Sequence, residues 1–208
     1  AEKRGIPACG GLYMLVFQAV RAAELFTGTD IPEEKGEEVY GRIYNQKCNI
    51  VLTGMPACGK STVGAVLAEK LGRGFFDTDE MIEKAENMKI SDIFARHGEK
   101  YFRNAETRVI RSLENKTGAV ISTGGGSVLR EENVRSLKAN GRVFFLDRDL
   151  KFLLPTDTRP LAATAEDIKK RYAERIGTYI SSADIRVLPR RTPEGTAQII
   201  LKEAEENT

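Results

Sequence analysis

The sequence predicts an α/β protein, five short strands in a parallel sheet flanked by helices, with a helical extension at its front. Three observations predict it. Short apolar runs at 48–52, 75–79, 119–122, 143–146 and 184–188 alternate with segments of helical period. A glycine-rich turn joins the first run to a helix, and polar or glycine residues follow the ends of the next ones, where a parallel sheet forms its ligand crevice. The chain of 208 residues, 41% hydrophobic and 30% charged, can bury a core and keep a wet surface. Its net charge of +2 gives no nucleic-acid footprint. Three cysteines without CxxC spacing point to neither a disulfide framework nor a zinc site, and a reducing cytoplasm is the expected setting.

At the front, GLYMLVFQAVRAAELFTG (11–28) places Leu12, Leu15, Val16, Ala19, Ala22, Ala23 and Phe26 at helical spacing, with Gln18, Arg21 and Glu24 interleaved. The expectation is an amphipathic helix closed by Gly28. Lys3 and Arg4 before an apolar run offer a signal peptide as the alternative. Arg21 and Glu24 cut the run well short of the roughly 20 residues of a membrane span, so no membrane partner is expected. TDIPEEKGEEVYGR (29–42), with proline, two glycines and five acids, reads as the core of a linker over 31–47.

From Cys48 the pattern is strand, turn, helix. CNIVL is a buried strand, and GMPACGKS fits G-x-x-x-x-G-K-[ST] at Gly54, Gly59, Lys60 and Ser61. Val63, Val66, Leu67 and Leu71 form the buried stripe of the helix that follows. Glycines let backbone N–H groups wrap a phosphate, and the helix N-terminus adds positive potential. Lys60 would reach the outer phosphates and Ser61 would sit on Mg²⁺. The loop alone leaves open a kinase, a GTPase-like switch or a motor.

FFDTD ends in Asp77 and Asp79, which project toward that loop, or one of which caps the next helix. In GEKYFRNAE, Arg103 and Glu106 stand three apart and can orient one another, or form an ordinary surface pair. AVIS runs into Gly124-Gly125-Gly126, which permits close backbone approach to a ligand. After VFFL, the stretch about 153–164 reads as a mobile lid carrying Arg159, placed to close on transferring phosphate. A helix with Ile168, Tyr172, Ile176 and Ile180 inward follows, with Arg175 and Tyr179 one turn apart. Asp184–Leu188 is the fifth strand, and Thr192-Pro193 opens the last helix as N-cap and N1.

As a set, GMPACGKST, FFDTDE, ISDIFARHGEKYFRNAE, STGGGSV, TRPL and the Arg175–Tyr179 pair resemble shikimate kinase, from about residue 48 to the end. The resemblance implies a P-loop kinase fold like that of nucleoside monophosphate kinases. It implies phosphoryl transfer from MgATP to the 3-hydroxyl of shikimate. On it, Asp79 holds the substrate hydroxyls and takes the proton, while Asp77 and Ser61 position hydrated Mg²⁺. Arg103 and Arg175 grip the carboxylate beside Gly125 and Gly126. Gly54, Pro56, Ala57, Cys58, Gly59, Lys60, Ser61 and Thr62 hold the nucleotide. Arg159 closes beside Lys60, and Arg191 and Pro193 lie on the adenine side. An arginine that stacks on adenine before the lid in many members has no obvious counterpart here. Related gluconate or nucleoside monophosphate kinases, and a nucleotide-binding module without turnover, are the rival readings. The kinase domain is expected to be monomeric.

The front segment RGIPACGGLYMLVFQAVRAAELFTG resembles the C-terminal end of shikimate dehydrogenase over about residues 1–30, with Gln18 at that family's pocket glutamine. That family's dinucleotide loop and catalytic Lys/Asp pair have no match here, so dehydrogenase activity is not expected. The resemblance implies a longer bifunctional parent with a covalent upstream dehydrogenase domain.

Overall fold

The computed structural model describes residues 11–153 and 165–206. The expected lid residues 154–164, Arg159 among them, lie outside the described residues. The chain divides between Lys47 and Cys48 into two compact units.

The front unit contains helices α1 (Gly11–Thr27) and α2 (Glu33–Lys47). Gly28 ends α1 in the left-handed conformation (φ 66°), and its N–H donates to the Glu24 carbonyl at 2.9 Å. The buried face differs from the expected stripe: Val16 is buried, whereas Leu15 and Phe26 are exposed. The reason is aromatic. Tyr13 stacks on Phe17 (4.5 Å between centroids) and meets Tyr40 of α2 edge-on (5.3 Å), which turns this side of α1 inward.

Most of the segment read as a linker is helical. In α2, Glu33 and Glu34 occupy the first turn and Lys47 the last, matching the helix dipole. Gly36, one of the two glycines that point to a linker, lies under the Phe17 ring, where an added Cβ would sit 2.8 Å from Cε1. The glycine is a packing device, and sequence spacing could not show which ring it faces.

The second unit is a five-stranded parallel sheet in the order β2-β3-β1-β4-β5. Its strands are β1 (Asn49–Thr53), β2 (Phe75–Asp77), β3 (Val120–Ser122), β4 (Gly141–Leu146) and β5 (Ile185–Val187). Its helices are α3 (Lys60–Leu71), α4 (Thr78–Glu86), α5 (Ile90–Ser112), α6 (Glu131–Ala139), α7 (Ala165–Ser182) and α8 (Pro193–Glu206). Successive strand residues serve opposite faces. Ile50 and Leu52 join Val63, Leu67, Phe144 and Ile200 on one side, while Val51 joins Ile110, Ile121 and Leu137 on the other.

Two expected buried residues lie outside the core. Leu71 is at the surface, and Ile180 is half exposed because Tyr179, fully buried and stacked on Phe145 at 4.9 Å, takes the inward position. Within α5 the chain kinks at Gly98 (φ 77°, ψ 174°), a conformation open to glycine. The kink restarts the helix at Glu99, one turn before Arg103.

Candidate functional site

The loops after β1, β2 and β3 meet at the carboxyl edge of the sheet and enclose a cavity of about 290 Å³. It is lined by Ala57, Gly59, Lys60, Ser61, Thr62, Asp77, Asp79, Thr123 and Gly125.

Backbone shape makes the phosphate side. Gly54 adopts φ 143°, and a Cβ there would stand 2.7 Å from the Leu146 carbonyl oxygen, so only glycine lets the chain leave β1 beside the end of β4. Ala57 (φ 66°) and Gly59 (φ 99°) are also left-handed, turning the loop back onto the start of α3. Such alternation directs backbone N–H groups into a concave anion site. Lys60 is buried and donates to the carbonyls of Gly54 and Met55, both at 2.9 Å. The buried Cys58 Sγ lies 3.8 Å from the same Nζ.

Asp77 serves two purposes that the sequence presented as alternatives. Its Oδ1 caps α4, accepting the N–H of Asp79 (3.0 Å) and Glu80 (3.4 Å), while Oδ2 accepts the Ser61 hydroxyl at 2.6 Å. The helix therefore starts at Thr78, and its first turn carries Asp79 into the cavity wall. Ser61 Oγ also lies 3.4 Å from Ser122 Oγ. This donor set is hard oxygen throughout, which fits Mg²⁺, an ion commonly held by one or two carboxylates, waters and substrate phosphates.

Side chains make the opposite side. Arg103 donates from Nη1 to Glu106 at 2.8 Å; Glu106 is wholly buried and its other oxygen accepts the Ser127 hydroxyl at 2.7 Å. Burial by itself lowers the Arg103 pKa, but Glu106 and then Glu99 raise it by more, so the guanidinium sits above its ordinary value. Arg175 of α7 donates to the Gly125 carbonyl at 3.1 Å, and the buried Tyr179 hydroxyl donates to the same oxygen. Burial pushes the Tyr179 phenol well up, which keeps it a neutral donor.

The three glycines are each pressed by a neighbour. A Cβ would stand 2.6 Å from Asp79 Oδ1 at Gly124, 2.7 Å from Pro56 Cδ at Gly125 and 2.4 Å from Arg103 Nη1 at Gly126. Asp79, the phosphate loop and Arg103 thus converge on one run of backbone.

Of the sequence candidates, Ala57, Gly59, Lys60, Ser61, Thr62, Asp77, Asp79 and Gly125 line the cavity. Gly54 and Pro56 shape its loop, and Arg103, Gly126 and Arg175 stand against the Gly124–Gly126 run. Arg191 and Pro193 are not in the lining: Arg191 is exposed, and Pro193 opens α8 behind the Thr192 cap, whose Oγ1 accepts the Gly195 N–H at 3.1 Å. Sequence reasoning missed Ser127, whose partner is distant in the chain, and Glu99, which helical spacing to Arg103 could have flagged. It also missed Arg148, just beyond β4 at the sheet's carboxyl edge. Its Nη1 is 3.7 Å from where a Gly59 Cβ would be, and its guanidinium lies over the Phe152 ring (5.7 Å).

A parallel sheet with a glycine-rich loop, a lysine and serine at the first helix, and a carboxylate facing them defines a P-loop kinase fold. Comparison with known proteins narrows this class. Residues 56–205 match the family described as "Shikimate kinase", and residues 11–39 match the "Shikimate 5'-dehydrogenase C-terminal domain". A curated shikimate kinase of Persephonella marina is 44% identical over 144 residues, 67% of this chain and 87% of that one. One from a Sulfurihydrogenibium species is 42% identical, covering 74% and 95%. Among solved structures, the Acinetobacter baumannii shikimate kinase in complex with shikimate superimposes with TM-score 0.76 at 31% identity, over 81% of this chain and 98% of that one. The Aquifex aeolicus shikimate kinase gives 0.68 at 38% identity, over 76% and 97%. The chain belongs to the shikimate kinase family.

Proposed function

We propose that the protein transfers the γ-phosphoryl group of ATP to the 3-hydroxyl of shikimate, giving shikimate 3-phosphate and ADP on the route to chorismate and aromatic amino acids. One observation carries the reading: a single cavity sets the phosphate loop opposite Asp79 and the Gly124–Gly126 run that Arg103 and Arg175 abut.

The phosphate loop would hold the nucleotide, with Lys60 exchanging its two carbonyl partners for phosphate oxygens. Ser61 and Asp77 would hold hydrated Mg²⁺, which supplies charge neutralisation at the phosphates. Arg103 and Arg175 would fork the acceptor's carboxylate. Asp79 would accept hydrogen bonds from its hydroxyls and take the proton as the 3-hydroxyl oxygen bonds to phosphorus and the bond to ADP breaks. Arg159 would close over the phosphates, and Arg191 and Pro193 would meet the adenine side. Most of this is positioning and electrostatics, which phosphoryl transfer chiefly needs.

Among the described residues no helix is long and apolar enough to cross a membrane. We place the enzyme in the cytoplasm, with a monomeric kinase domain and a parent chain that carries a shikimate dehydrogenase upstream. An ADP-release assay offering shikimate, gluconate and AMP in parallel tests the substrate; release with gluconate or AMP but not shikimate overturns it. Asp79→Asn is expected to abolish transfer while nucleotide binding survives, and full activity would remove Asp79 from its role. Residues 45–208 assayed beside the whole chain test the boundary, because an inactive short form would make the front helices part of the kinase.

A further inference from the structure

The Arg103 guanidinium has two edges, and the protein treats them differently. Nη1 donates at 2.8 Å to Glu106, a carboxylate with no exposure that Ser127 also holds. That edge is fixed. Nε and Nη2 both point to one oxygen of Glu99, each at 3.3 Å. Charge-assisted bonds of this type are normally about 2.7–2.9 Å and, in forked pairs, use two oxygens, so this edge is loosely filled.

The Glu99 side chain is 57% exposed and that of Arg103 11% exposed, so the acid has freedom to leave and the cation does not. Glu99 begins the α5 segment restarted at the Gly98 kink, which aims it at Arg103 one turn on.

We propose that Glu99 is a built-in competitor of the substrate carboxylate, occupying the Nε/Nη2 edge of Arg103 until a two-oxygen acceptor displaces it into solvent. The inference rests on the proposed role of Arg103 in gripping the acceptor. Glu99 fills the second edge of the largely buried cation between turnovers and sets a threshold that only a carboxylate-bearing acceptor passes. A neutral ring triol gains nothing by displacing it. Glu99 acts through Arg103 and does not touch the reacting atoms.

The test is initial-rate kinetics and direct binding on the whole chain for Glu99→Gln and Glu99→Ala. KM and Kd for shikimate are expected to fall about two- to fivefold, the range of an exposed ion pair, with the change in KM rather than kcat and none in KM for ATP. A rise in KM for shikimate would make Glu99 a support for Arg103, and no change would make the pair inert; either result overturns the proposal. Thermal melting within about 2 °C of wild type shows that the variants are folded. Should the wild type release no ADP with shikimate, the proposed function fails by itself. Benzoate then reads the same contest: tighter binding to Glu99→Gln supports the competitor, and equal or weaker binding overturns it.

Discussion

The phosphate side and the acceptor side of the cavity are built from different materials. The first is a run of eight consecutive residues, Gly54 to Ser61, in which backbone conformation carries most of the work and Lys60 supplies the charge. The second gathers Asp79 from α4, Arg103 and Glu106 from α5, Ser127 after β3, and Arg175 and Tyr179 from α7. A site made of one loop tolerates change in its surroundings but not in its own glycines. A site assembled from four elements depends on the contacts that hold them together.

The largest expected effect is on the loop's charge. Lys60→Ala should lower kcat about 10²–10³-fold, the usual cost of removing one preorganised charge at a transferring group, measured by single-turnover transfer. A loss in KM alone would mean that the lysine binds without assisting transfer.

Next come two glycines that separate the materials. Gly54→Ala forces a left-handed alanine against the Leu146 carbonyl, and on the order of 3 kcal/mol of strain is expected, seen as a fall in melting temperature of about 5–10 °C. Gly126→Ala instead presses on the Arg103 guanidinium, a side chain and not backbone, and strains its bond to Glu106. The fold should survive, and KM for shikimate should rise about ten- to a hundredfold, the value of a charged hydrogen bond. If both variants fail by melting, the acceptor side is as rigid as the loop and the contrast collapses.

The smallest effect probes the network behind the arginine. Ser127→Ala removes the hydroxyl that fixes the far oxygen of Glu106, and KM for shikimate should rise about threefold with KM for ATP unchanged. Ser127→Thr, which keeps the hydroxyl, should recover much of the loss. Equal losses for both substrates would assign Ser127 to folding alone.

The same contrast explains what could be seen in the chain before its fold. The phosphate loop was visible because its chemistry is contiguous, and the strands were visible because each is a short apolar run between turn signals. Arg103 and Glu106 were visible as a helical pair, but that Glu106 is wholly buried and anchored by Ser127 was not, since the partners are 21 residues apart. By spacing Tyr179 is a neighbour of Arg175, and hydrophobicity alone assigns its place in the core to Ile180. A phenol that finds a carbonyl acceptor packs inward as well as an aliphatic residue. The front unit teaches the same lesson: Gly36 and five acids read as a linker, and only the Phe17 ring shows what the glycine packs against.

By itself, the sequence determined the class of fold, the phosphate loop, the polar ends of the strands and the family resemblance. All of these rest on interactions within a few residues or on the period of a helix or strand. Only the tertiary structure decided which acid caps α4 while holding Ser61, which edge of Arg103 Glu106 fixes and which Glu99 fills, and why three successive glycines are needed. Those outcomes depend on the approach of atoms from segments far apart in the chain, at distances below 3 Å where one added methyl group changes the answer.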